Sequence, residues 1–156
     1  MTRELIDELI SISKQKNQLL DKMCKFTKGQ REEIKKENME NVDGILNKKD
    51  AIIEKINRLD VSFLTIFSQI KKDEGIEDIA ELDINKYPNL RELKEIIRAI
   101  SSSLMAISLL DEENNKIIKE KLEETKMELR RIKDGKKAYK GYNATITGSM
   151  LIDEKK

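Results

Sequence analysis

Few residues of this chain have the side chains that catalysis or metal binding asks for, and their spacing keeps them apart. There is no His, which removes the usual general base near neutral pH and the commonest metal ligand. The single Cys24 cannot form an internal disulfide and falls on an apolar helical position, where a thiol packs as a small hydrophobe. Ser101-Ser102-Ser103 lie in a helical stripe without a basic partner and read as small residues that pack closely between Ile100 and Leu104. Asp111-Glu112-Glu113 are consecutive, so on a helix they point to different faces and cannot share acid–base work. No Gly-rich phosphate loop, no cysteine pair at metal spacing and no Glu-x-x-His step is present. The expectation is a protein with no enzymatic activity, cofactor or metal, whose work is binding.

The composition says what kind of scaffold positions such binding residues. Of 156 residues, 31 are Lys or Arg and 30 are Asp or Glu, for a net charge of +1, while Gly numbers six and Pro one. Abundant charge, 22 Ile and 16 Leu, with scarce turn formers, suit long amphipathic helices that bury one stripe and expose the rest. The balanced charge gives no general attraction to nucleic acid or anionic lipid, and Lys35-Lys36, Lys48-Lys49 and Lys71-Lys72 are each flanked by acids. The opening residues Arg3-Glu4-Leu5-Ile6-Asp7-Glu8 carry acids where a signal peptide has its apolar core. The longest uncharged runs, 99–110 and 141–152, are twelve residues each, short of the ~20 that span a bilayer. A cytoplasmic protein without membrane insertion is expected.

Spacing then marks the elements. Leu5, Leu9, Ile12, Leu19, Met23 and Phe26 fall at steps of three and four with one polar insertion at Lys16, predicting a first helix to about Lys36 although residues 28–33 weaken the pattern. Asn38 and Asn41 are candidate N-caps for a second helix, whose stripe runs from Val42 through Ile56 to Ile70 and stops at Asp73-Glu74-Gly75. Ile76, Ile79 and Leu82 predict one or two helical turns capping one end of the assembly, and Pro88 suits the first turn of a third helix. That helix carries Leu90, Leu93, Ile97, Ile100, Leu104, Ile107, Ile118, Leu122, Leu129 and Ile132. Asp111, Asn114 and Thr125 stand in its stripe, where polar residues either fix register or mark a seam open to solvent or a partner. After Asp134-Gly135 no helical period remains, and Tyr139 and Tyr142 lie in this part. The predicted fold is all-α: an elongated, coiled-coil-like antiparallel bundle of three long helices over residues 1–135, with a short helical connection and a flexible C-terminal tail, 136–156.

The order of these features resembles the FlgN family of flagellar export chaperones. The likeness rests on three segments. Asp43-Gly44-Ile45-Leu46-Asn47-Lys48-Lys49-Asp50-Ala51-Ile52-Ile53 is similar to the family's acidic turn followed by a helix with a central Lys, here Lys49. Asn114-Asn115-Lys116-Ile117-Ile118 is similar to its Asn-rich step before an apolar pair, and Tyr142-Asn143 leading to Ile152-Asp153-Glu154-Lys155-Lys156 is similar to its tail. The resemblance implies a cytoplasmic chaperone that binds the C-terminal helical segments of hook-associated (hook-filament junction) proteins. It would prevent their premature assembly and deliver them to the flagellar type III export gate and its ATPase complex. Client-binding candidates are Asn114, Ile117, Ile118, Leu122, Met127, Leu129 and Ile132, along the seam of the third helix. Tyr142 matches the position associated with gate docking, with Tyr139 as the fallback. The alternative is a coiled-coil scaffold or oligomerisation protein without an export role, and homodimerisation of the free chain is left open.

Overall fold

The computed structural model describes the backbone of residues 1–154 and the side chains of residues 1–141. The fold is all-α, with no strand among the described residues: α1 (Thr2–Lys35), α2 (Met39–Glu74), a 3-10 turn (Ile79–Glu81) and α3 (Leu90–Glu154). The chain forms two compact units, Met1–Asn114 and Asn115–Lys156. The composition changes later, at Gly135.

In the first unit α1, α2 and the start of α3 form an antiparallel three-helix bundle. Residue pairs descend in one helix as they ascend in the next. Lys16 meets Asp60 and Gln30 meets Lys49 between α1 and α2, while Lys49 meets Asp111 and Ile70 packs with Leu90 between α2 and α3. Two apolar clusters follow from the stripes. One joins Ile6, Leu9, Ile10, Ile70, Leu90 and Leu93. The other joins Leu20, Met23, Ile52, Ile56, Ile100 and Ile107. The connection between α2 and α3 adds Leu82 to the first cluster, with Ile76, Ile79, Ile84 and Tyr87 packed against it. The expected cap across one end is therefore present, and it brings its own apolar contacts.

The turns follow from local chemistry. The Asn38 side chain accepts from the Asn41 amide at 3.3 Å and so caps α2, satisfying a donor that the helix start leaves open. Gly75 ends α2 at φ 62°, a left-handed conformation that costs other residues about 1 kcal/mol. Pro88 precedes α3, its carbonyl accepting from the Arg91 amide at 3.3 Å.

Glu74 at the end of α2 ties the first unit together. Thr2 Oγ1 (2.6 Å) and the Tyr87 hydroxyl (2.5 Å) donate to the same carboxylate oxygen. These bonds, the Thr2 bond foremost, hold its carboxyl below the ordinary value of 4.5, because both favour the charged form. A carboxyl whose folded pKa is lowered adds stability above its unfolded pKa and loses it as pH falls through the folded one. The difference in melting temperature between wild type and Glu74→Gln should therefore be largest near neutrality and close as pH drops below 4.5. A difference that holds constant into acid would mean the two bonds do not favour the ionised form.

α3 continues as helix past Ile132, where its apolar stripe ends, through Gly135 to Glu154. Lys and Ala supply helix propensity here, and a Gly such as Gly135 in a helix interior costs only about 1 kcal/mol. In the second unit Ile117, Ile118 and Lys121 are half-buried, and all described side chains of residues 122–141 are exposed.

Candidate protein-binding surface

Polar residues of the α3 stripe separate into two environments. Asp111 and Asn114 belong to a layer that crosses the first unit. Lys49, 6 % exposed, donates to Gln30 Oε1 at 3.2 Å and to Asp111 Oδ1 at 2.8 Å. Asn114, 2 % exposed, donates from Nδ2 to the Thr27 carbonyl at 3.0 Å and accepts on Oδ1 from Arg31 Nε at 3.1 Å. Arg31 also pairs with Glu113, and the Thr27 hydroxyl turns back to the Met23 carbonyl at 2.7 Å. Both halves of the Asn114 amide and two donor directions of Lys49 are thus engaged, which is how a buried polar group avoids an unpaired cost. The layer fixes which residues of α1, α2 and α3 lie level with one another, since a shift of one turn would separate every pair.

Thr125 differs: it is exposed, and its hydroxyl bonds to the Lys121 carbonyl of its own helix. Around it Ile118, Leu122, Leu129 and Ile132 are spaced by four, seven and three residues, so they share one face. Leu122, Leu129 and Ile132 are 53 %, 61 % and 56 % exposed. This is an aliphatic seam with a single hydroxyl inside it and no catalytic group. Such a surface can accept another amphipathic helix by packing, with charged flanks setting the match.

The predicted binding residues are thereby divided. Ile118, Leu122, Leu129 and Ile132 are brought together and accessible. Ile117, half-buried, flanks the seam. Met127, also exposed, lies two residues from Leu129, about 200° around the helix and so on the opposite side. Asn114 is buried in the polar layer of the first unit. Tyr139 is exposed; the Tyr142 side chain lies outside the described residues. Sequence reading missed Thr27 and Arg31 as partners of Asn114, and Gln30 as a partner of Lys49. Their signal was the polar interruption late in the first helix.

Among the described residues, no cluster of His, Cys, Asp and Glu is placed to hold a metal, and no helix is long and apolar enough to cross a membrane. A family model described as FlgN protein matches residues 1–148. No curated protein and no solved structure shows a match to the chain.

Proposed function

Because the chain belongs to the FlgN family of flagellar export chaperones, we propose that it binds the C-terminal helical segments of hook-filament junction proteins in the cytoplasm. It shields those segments from premature assembly and delivers them to the type III export gate and its ATPase complex. The observation that carries this reading is the aliphatic seam of α3, in which Leu122, Leu129 and Ile132 are exposed and Ile118 is half-buried. Client helices of this kind bear their own apolar stripe for assembly, and a chaperone must cover that stripe with one of matching period. Ile117 borders the contact, and Met127 lies on the other side of the helix, outside it. No catalytic step enters the cycle.

Size-exclusion chromatography with the C-terminal segment of a hook-filament junction protein tests the reading. A soluble complex at micromolar concentration is expected, and two separate peaks would refute it. A seam with steps of three and four also suits a second copy of the chain, as in a coiled-coil scaffold. Sedimentation of the free protein separates the two: a concentration-independent dimer that client does not dissociate favours the scaffold.

Gate docking is assigned to the tyrosines near the end of the chain, Tyr142 first and Tyr139 second, each a large apolar contact with a polar tip. Tyr142→Ala should weaken binding to the cytoplasmic domain of the export gate by about tenfold, the scale of losing one aromatic anchor. Client binding and melting temperature should stay at wild-type values. Loss of client binding in parallel would place Tyr142 in the client surface instead.

A further inference from the structure

The seam of α3 changes chemistry along its length, and this specifies the partner more narrowly than apolar match does. Continuing the same steps beyond Leu129 and Ile132 leads to Lys136 and then to Tyr139 and Lys140, all exposed. At 100° per residue Lys136 stands within about 20° of the Leu129 line and Lys140 on its other side by the same amount. The cations therefore lie on the seam and do not merely border it. Between residues 129 and 141 six Lys or Arg face one acid, Asp134, a net +5 in a chain whose total is +1. The balanced overall charge conceals a concentrated basic segment.

We propose that this surface takes an amphipathic protein helix whose apolar stripe is followed, one to two turns on, by carboxylates that meet Lys136 and Lys140. This rests on the client-binding reading above and adds to it the charge and register of the client. Complementarity of this kind contributes more to partner choice and orientation than to raw affinity. A lipid surface fits the pattern less well, because a helix lying on a membrane keeps its apolar face unbroken and places cations at the flanks. Nucleic acid would engage the cations and leave the aliphatic positions without a role.

Two probes test the proposal on the full-length protein. One is the C-terminal segment of a hook-filament junction protein. The other is a designed helical peptide with four aliphatic seam positions followed by two Glu, paired with a twin carrying Lys at those two places. The Glu peptide should bind at least about tenfold tighter than its twin, and the double variant Lys136→Glu, Lys140→Glu should reverse that preference. Arg130→Glu with Lys137→Glu supplies the same charge change on positions about 80° to 100° from the Leu129 line and should retain the preference. Equal binding of the twins overturns the proposal while leaving the client reading to the junction segment. Discrimination between the twins without binding of the junction segment does the reverse. Tighter binding to anionic phosphatidylserine vesicles or to duplex DNA than to the Glu peptide, abolished by the same double variant, would also overturn it.

Discussion

Asp111→Ala is expected to lower the unfolding free energy by about 2 to 3 kcal/mol, whereas Lys49→Met should change it by about 1 kcal/mol or less. The reason is the asymmetry of a partly buried ion pair. Lys49 has a side chain only 8 % exposed, while that of Asp111 is 44 % exposed. Removing the carboxylate leaves an ammonium in the bundle with Gln30 as its one remaining acceptor. Stripping a fully buried pair of one partner costs about 3 to 5 kcal/mol, and the exposure of Asp111 reduces this because water partly screens the pair. Alanine's higher helix propensity returns about 0.5 kcal/mol. Removing the cation has a smaller effect, because the desolvation cost of Lys49 disappears with its attraction and methionine fills nearly the same volume. Urea midpoints of the two variants check the order. A larger loss for Lys49→Met would mean that Lys49 acts through its packing and that the ion pair contributes little.

The same layer shows what sequence periodicity reveals and what it hides. Asn38 and Gly75 were legible because caps are written in neighbouring residues: a short side chain that accepts an amide, and a residue without Cβ at positive φ. The stripes of α1 and α2 were legible for the same reason, since burial imposes the helical period directly. Glu37 was not: it turns the chain between α1 and α2 at φ 59°, and a residue other than Gly in that conformation leaves no signal of its own. Gln30 and Thr27 looked like a weakening of the first stripe, yet both are buried. Their partners, Lys49 and Asn114, lie 19 and 87 residues away, beyond what a local window can read. On α3, Asp111 and Asn114 were visible as polar intrusions, and only the structure separates them, engaged across the first unit, from Thr125, which faces solvent. From 133 to 141 periodicity is silent, because a helical stretch whose side chains are all exposed carries no apolar period. Met127 matches the seam in hydrophobicity, but its helical angle puts it on the opposite side from Leu129.

Leu122→Asp combined with Leu129→Asp should weaken client binding by about 100-fold or more while leaving the melting temperature close to wild type. Each leucine retains about half or more of its surface, so covering the rest contributes on the order of 1 kcal/mol per residue. Carboxylates there also have to be stripped of water against an apolar partner, which adds a further desolvation cost per site. Together these losses exceed the 2.7 kcal/mol that 100-fold in affinity represents. Stability should be nearly indifferent, because both side chains are exposed in the free protein and neither belongs to the two apolar clusters of the first unit. Met127→Asp is the control: equally exposed in kind and on the same helix, but on the opposite side from Leu129, it should bind client within about threefold of wild type if the seam alone makes the contact. Isothermal titration with the junction segment separates the alternatives. If all three positions prove equally sensitive, the client surrounds α3 and does not lie along one face. If none is sensitive, the exposed stripe serves another partner, and client recognition must be sought among the exposed aliphatic residues of α2 and the first part of α3, such as Leu64 and Leu104.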